Sequence, residues 1–253
     1  MRVLQITRVL VLALALATLV PACATDKALN KREADAMRDR GERFLQVNQP
    51  TMALKEFLAA LELNPDDPYL HYDLAYAYDQ KGVSDKSEFH LKKAIRLKPD
   101  YSDAYNYLGV LYFRKGEVDL AIEQYNKALE NILYLSPQNA HFNLGVAYLS
   151  RKEYNLAVKH LEEVVGLVPN YAAAYVNLGK AYEGLHKYGE ARRSYEKAVE
   201  FAPNAPEAQL HLGKLLILMG DRRAAIKPLS EVVRLVPDSD MAREAQSYLN
   251  LLK

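Results

Sequence analysis

The apolar residues between Ala34 and Pro237 recur at helical spacing, in blocks punctuated by prolines at a constant distance. Pro65 and Pro99 stand 34 residues apart, as do Pro169 and Pro203, and Pro203 and Pro237; the 70 residues from Pro99 to Pro169 are two periods plus two. With that proline placed at position 32, position 8 holds Gly41, Ala75, Gly109, Gly145, Gly179 and Gly213, and position 20 holds Ala53, Ser87, Ala121, Ala157, Ala191 and Ala225. Position 24 is large throughout: Phe57, Leu91, Tyr125, Leu161, Tyr195 and Leu229. Position 7 is leucine in all blocks but the first, where Arg40 marks an edge unit with an uncovered outer face. Two amphipathic helices per block fit this pattern. Neither can bury its apolar stripe alone, and no segment alternates as a strand would. The predicted units are 34–67, 68–101, 102–137, 138–171, 172–205 and 206–239.

Local signals refine the elements. Asp67-Pro68 and Ser136-Pro137 each place a capping side chain before a proline at the first helical position. Pro228 inside the last predicted pair removes a backbone donor and predicts a kink near Ala224. After Pro237, Met241, Ala245, Tyr248, Leu249 and Leu252 have helical spacing, which predicts a thirteenth, capping helix over 240–253. One step is irregular: from Ala128 to Leu144 the interval is 16 residues where its counterpart, Ala94 to Leu108, is 14. A longer turn accounts for this at little entropic cost, and the alternative is a turn that is itself a contact feature.

A 34-residue helix-turn-helix period with these small and large positions resembles the tetratricopeptide repeat. The resemblance covers residues 34–239. It implies an all-α, right-handed superhelical solenoid of six helix-turn-helix repeats plus a C-terminal capping helix, stabilised largely by interfaces between adjacent repeats.

The N-terminus follows another pattern. Arg2 and Arg8 precede a run, Val9 to Val20, that is apolar but for Thr18, and the first acidic residue is Asp26. The run is shorter than the roughly 20 residues of a spanning helix and reads as a signal peptide over 1–22. Two processing schemes compete. Ala22-Cys23-Ala24 suits ordinary cleavage, which would release a soluble periplasmic protein. Val20-Pro21-Ala22-Cys23 resembles the bacterial lipobox, in which the cysteine is lipidated, although Pro21 departs from its usual small residue. Cys23 is the sole cysteine and sits at the junction, which favours lipidation, with 23–33 as a short linker. In bacteria with the common sorting system, alanine after the acylated cysteine suits the outer membrane.

Charge narrows the partner classes. The chain has 33 basic and 32 acidic residues, and removing Arg2 and Arg8 leaves 31 against 32, so it offers no footprint for nucleic acid. No catalytic motif, nucleotide loop or metal-ligand spacing is present, and we expect neither an enzyme nor a cofactor, metal or small-molecule substrate. His71 and His141, both at position 4, read as packing residues. Tyrosines at position 11, Tyr78, Tyr112, Tyr148 and Tyr182, read as core.

Positions 2, 5, 9 and 12 of each first helix are left over once the core stripe is assigned, and in this fold they line the inner groove. Repeat two contributes Tyr69, Tyr72, Tyr76 and Asp79; repeat three Asp103, Asn106, Val110 and Phe113; repeat four Asn139, Phe142, Val146 and Leu149. Repeats five and six place Val176, Lys180, Leu210 and Lys214 there. The candidate protein-binding groove is Tyr69, Tyr72, Tyr76, Asn106, Val110, Phe113, Phe142, Val146 and Leu149. Its apolar lining suits a helix or strand better than an acidic tail.

A signal peptide, a lipobox-like junction, six repeats and a terminal helix resemble the type IV pilus biogenesis and stability lipoproteins of the PilF/PilW/Tgl group. The stretches "AYNYLGVLYFRKGEVDLAIEQY" and "ILYLSPQNAHFNLGVAYL" resemble that group's third and fourth repeats, including the extra residues between them. The resemblance implies a pilotin: an outer-membrane lipoprotein, on the periplasmic face, that binds the pilus secretin and promotes its localisation and multimerisation. The alternative is a lipoprotein scaffold of the same fold serving polysaccharide export or outer-membrane protein assembly.

Overall fold

A computed structural model describes residues 27–252; the apolar N-terminal run, Cys23 and Lys253 lie outside the described residues. Among the described residues there are thirteen α-helices and no strand. They are α1 (27–46), α2 (Pro50–Leu63), α3 (Pro68–Gln80), α4 (Ser84–Leu97), α5 (Ser102–Arg114), α6 (Val118–Glu130), α7 (Pro137–Ser150), α8 (Tyr154–Leu167), α9 (Ala172–Gly184), α10 (Tyr188–Phe201), α11 (Pro206–Leu218), α12 (Arg222–Leu235) and α13 (Asp240–Leu251). None is long and apolar enough to cross a membrane.

The chain divides into two compact units, the first ending at Ala104 and the second beginning at Tyr105. In the first, α3 packs on α2 and on α4, around Ala34, Ala53, Phe57, Ala60, Leu70, Leu74 and Ala77. In the second, each helix from α6 to α12 packs on its successor, and α7 also touches α9. The position-24 side chains form the floor of both cores and are fully buried. They lie directly on the position-8 glycines. A Cβ on Gly109 would stand 2.5 Å from the Tyr125 ring and one on Gly179 2.4 Å from the Tyr195 ring, so any larger residue there would displace the aromatic floor.

The turn inside each repeat follows one rule. Position 15 has positive φ in all six, as Asn48, Gly82, Gly116, Lys152, His186 and Gly220, and it ends the first helix in the left-handed conformation. The next amide closes the turn, as Val83 N–H donates to the Tyr78 carbonyl at 2.9 Å and Glu117 N–H to that of Tyr112 at 2.9 Å.

Several expectations need correction in detail. Asp67 caps α3 as the sequence predicts, accepting from the amides of Tyr69 at 2.8 Å and Leu70 at 3.3 Å. Ser136 does not cap α7: its backbone is at φ −129°, ψ 51° and its side chain makes no cap bond, although Pro137 opens the helix as expected. Pro228 lies inside α12, which runs from Arg222 to Leu235, and is buried there. Among the position-11 tyrosines, Tyr78 and Tyr112 are buried, but Tyr148 and Tyr182 are only half-buried. The tip of Tyr182 reaches outward and its hydroxyl donates to Glu162 at 2.6 Å. Arg40 lies at an exposed edge, held to Glu56 at 2.9 Å.

At the other end α13 packs on α12 and α11. Its Met241, Tyr248, Leu249 and Leu252 cover the cluster that contains Leu212, Leu215, Leu216 and Leu229.

Candidate protein-binding faces

In the first unit, α3 begins at a capped proline, which sets Tyr69, Tyr72 and Tyr76 along one side of the helix. Tyr69 and Tyr76 are 41% and 40% exposed, whereas Tyr72 is half-buried. Tyr101 supports two of them: its ring meets Tyr69 edge-on at 5.2 Å and Tyr72 at 5.3 Å. Two cations flank the rings. Lys98 donates to the Tyr69 hydroxyl at 3.2 Å and lies over the Tyr69 and Tyr101 faces at 5.4 and 5.5 Å; the Arg38 guanidinium stands 5.6 Å from the Tyr69 centroid. Arg38 is held by Asp73 at 2.5 Å and Glu42 at 2.8 Å.

Burial sets the electrostatics of this face. It pushes the Tyr72 phenol up to about 12, with the Asp103 carboxylate adding to the effect, and raises Tyr101 as well, so both remain neutral in ordinary solution. Burial also pushes Asp73 up to about 6, against the pull of Arg38. The result is a neutral aromatic strip flanked by paired cations, Arg38 with Asp73 and Glu42 and Lys98 with Asp100 at 3.9 Å, able to take apolar or aromatic side chains through ring contacts.

In the second unit, α5 carries Asn106, Val110 and Phe113, and α7 carries Phe142, Val146 and Leu149, all half-buried. Asn143 donates to the Asn106 side chain at 2.9 Å and joins the two helices. Phe142 stacks on Tyr171 at 5.1 Å and, with Leu149, packs against the cluster of Ala157, Leu161, Val164, Ala174, Leu178 and Ala181. Farther along, Val176 and Leu210 are buried in the core, contrary to the expectation that they line a groove. What remains there is charged and internally paired, Lys180 with Glu207 and Lys214 with Glu244, both at 2.6 Å.

The structure thus divides the sequence-predicted residues. Tyr69 and Tyr76 present open ring surface, while Tyr72 and Phe142 are packed on the first tyrosines beyond their own helix pairs, Tyr101 and Tyr171. Position 5, left outside the core stripe by the sequence pattern, therefore helps fasten successive helix pairs, and truncating Tyr72 or Phe142 should cost packing. Sequence reasoning missed Arg38, Lys98 and Tyr101. Arg38 had a readable signal, since it occupies position 5 of the first repeat, and so had Tyr101, which recurs as Tyr171 at position 34; Lys98 lies between helices with no such signal. Among the described residues no group of three or more His, Cys, Asp or Glu side chains is placed to hold a metal ion.

Known proteins agree with this architecture. The chain is similar to the solved structure of Pseudomonas aeruginosa PilF, with 21% identity, a TM-score of 0.78, and coverage of 86% of this chain and 98% of that one. It is also similar to PilW, described as a widely conserved type IV pilus biogenesis factor, with 19% identity, a TM-score of 0.77, and coverage of 84% and 98%. At these identities the likeness shows the fold. Among curated relatives, small glutamine-rich tetratricopeptide repeat-containing protein 2 of Mycosarcoma maydis is 28% identical over 115 residues, 46% of this chain. The chain spans about a third or less of the length of the first curated relatives it matches. Models described as tetratricopeptide repeat or TPR repeat match residues 41–82, 68–101, 100–168, 139–204 and 184–247. With the periodic floor of glycine and large side chains and the recurrent left-handed turn, these matches place the chain in the tetratricopeptide-repeat family.

Proposed function

We propose that this protein is a non-catalytic adaptor of type IV pilus biogenesis: a pilotin, lipidated at Cys23 on the periplasmic face of the outer membrane, that binds the pilus secretin. The observation that carries the binding role is the aromatic strip of α3, where Tyr69 and Tyr76 keep about two-fifths of their surface in solvent beside Lys98. Open aromatic area on a rigid helix is a usual carrier of binding energy. The pilus assignment is supported by likeness to PilF and PilW over most of this chain and nearly the whole of theirs, together with the junction at Cys23.

The test uses Tyr69→Ala/Tyr76→Ala, which removes exposed rings and should leave helical content unchanged. Losing one such anchor costs about 2 kcal/mol, so capture of purified secretin should weaken by more than tenfold, and heat-resistant secretin multimers should disappear from cells. A folded double variant with wild-type capture and multimers overturns the binding face. Cys23→Ser should release the protein from membranes; native mature protein beginning at Thr25 without lipid overturns the anchor.

A further inference from the structure

The turn between α6 and α7 occupies the irregular step in the repeat pattern, and it is the most exposed apolar feature among the described residues. Ile132, Leu133 and Leu135 are 94%, 78% and 95% exposed, close to the limit for side chains in a folded protein. We propose that this turn is a membrane-contact knob, whose three aliphatic side chains enter the uncharged hydrocarbon edge of a lipid bilayer.

The turn is built to stay outward. Tyr134, between the exposed residues, is buried with Ala128 and Ala140 and packs against Tyr105 and Leu129, which anchors the centre of the turn. The Leu133 amide donates to the Asn131 side chain at 2.9 Å, the Tyr134 amide to the Asn131 carbonyl at 3.0 Å, and the Asn139 amide to the Ser136 carbonyl at 3.1 Å. A tip preformed in this way loses little entropy when it binds, and the Leu133 and Tyr134 amides, already satisfied within the turn, lower the cost of entering a phase without water.

Its chemistry separates lipid from protein. Protein-binding anchors are enriched in tyrosine, tryptophan and arginine and poor in leucine, and the strip on α3 has that character. The knob has three aliphatic tips and no exposed aromatic ring or cation. Charge agrees: between Glu130 and Arg151 the sequence has no Asp, Glu, Lys or Arg, in a chain that is 26% charged. Such a surface gains nothing from anionic headgroups and loses nothing by approaching hydrocarbon, so insertion should be indifferent to lipid charge and to salt.

The chain has no tryptophan, so Leu133→Trp places a single reporter at the tip. Full chain, with its N-terminus as cells produce it, is mixed with phosphatidylcholine vesicles at millimolar lipid, with and without brominated acyl chains. Emission from the introduced indole should shift to the blue and be quenched severalfold by the brominated lipid, equally in low and high salt and with added phosphatidylglycerol. Adding Ile132→Ser/Leu135→Ser in the same background should remove most of that quenching while helical content stays constant. The proposal falls if the reporter emits as in buffer, or if quenching is the same with both serines present, since proximity of another anchor would then explain it. It also falls if the shift arises only when detergent-solubilised envelope proteins are added, which would make the turn a protein contact. None of these failures touches the aromatic face of α3, because the reporter is read at the turn alone.

Discussion

Position 15 shows how much one backbone conformation asks of its residue. The left-handed turn recurs in all six repeats, yet only Gly82, Gly116 and Gly220 adopt it without a Cβ penalty; Lys152, with φ 61°, and His186, with φ 57°, carry it at a cost. Replacing a non-glycine residue there relieves about 1–2 kcal/mol of steric cost and returns part of it as added freedom of the unfolded chain. Lys152→Gly should therefore stabilise the protein by about 0.5–1 kcal/mol, read as a higher urea midpoint with unchanged slope. A lower midpoint would mean that the Lys152 side chain contributes more than its backbone costs. The same scale explains why Tyr72 is a poor probe of binding: its ring lies half-buried against Tyr101, so its loss would mix a folding cost with any binding effect.

At the scale of the helix pair, two repeats share a device that position-by-position reading does not show. His71 and His90 meet at 2.9 Å through their Nδ1 atoms, and His141 and His160 meet in the same way at 3.0 Å. The proton positions of the first pair follow from its surroundings. His71 Nε2 lies 3.1 Å from the Pro65 carbonyl, which can only accept, so neutral His71 carries its proton on Nε2 and His90 donates from Nδ1. A second proton on His71 would set two donors face to face. Burial, with the neighbouring ring adding to it, pushes His90 and His160 down to about 4; burial lowers His71 and His141 and takes His211, which is stacked on Tyr195, to about 4. Between about pH 4 and 6.5 the unfolded chain binds protons on His90, His160 and His211 and the folded chain does not, and the lowered His71 and His141 act in the same direction, so stability falls on acidification through that window. Asp73 works in the opposite direction below about pH 6 but is a single carboxylate against five rings. Each ring taken to about 4 is worth up to about 3 kcal/mol at full effect. Urea midpoints should thus be clearly lower at pH 5 than at pH 7, and His90→Gln/His160→Gln should remove much of the difference. The glutamine amide can donate to the position-4 ring as the imidazole does, and Gln124 is already buried at the equivalent place in repeat three. Equal wild-type midpoints at the two pH values would refute the reading.

At the scale of the whole molecule, stability is close to a sum of neighbouring interfaces, so damage should remain local. The sensitive place is the C-terminal end, where α13 covers the cluster beneath it. Tyr248→Ala/Leu249→Ala removes two half-buried side chains from that cover and should cost about 2 kcal/mol in the last repeat. Amide exchange should accelerate in α11 and α12 and stay at wild-type rates in α3 and α4. Uniform acceleration along the chain would show a single cooperative unit instead.

The period, the helix pairs and the terminal cap were legible in the sequence because each depends on residue volume at a repeating position. Glycine at position 8 opposite a large residue at position 24 leaves one way to pack, and the same solution recurs along the chain. The lining of the candidate face was legible only in outline. Spacing puts Tyr69, Tyr72 and Tyr76 on one side of α3, but it cannot say that Tyr101 covers Tyr72, that Lys98 lies over two rings, or that Val176 and Leu210 turn into the core. Those outcomes depend on how close one helix pair comes to the next, which is decided by three-dimensional packing rather than periodicity. The histidine pairs are intermediate, since their 19-residue spacing appears twice, 70 residues apart, yet only the packed helices bring Nδ1 to Nδ1. The knob at Ile132, Leu133 and Leu135 shows the same limit most plainly. Two added residues announce an irregular turn, and only burial of Tyr134 beneath it decides that the aliphatic side chains point away from the protein.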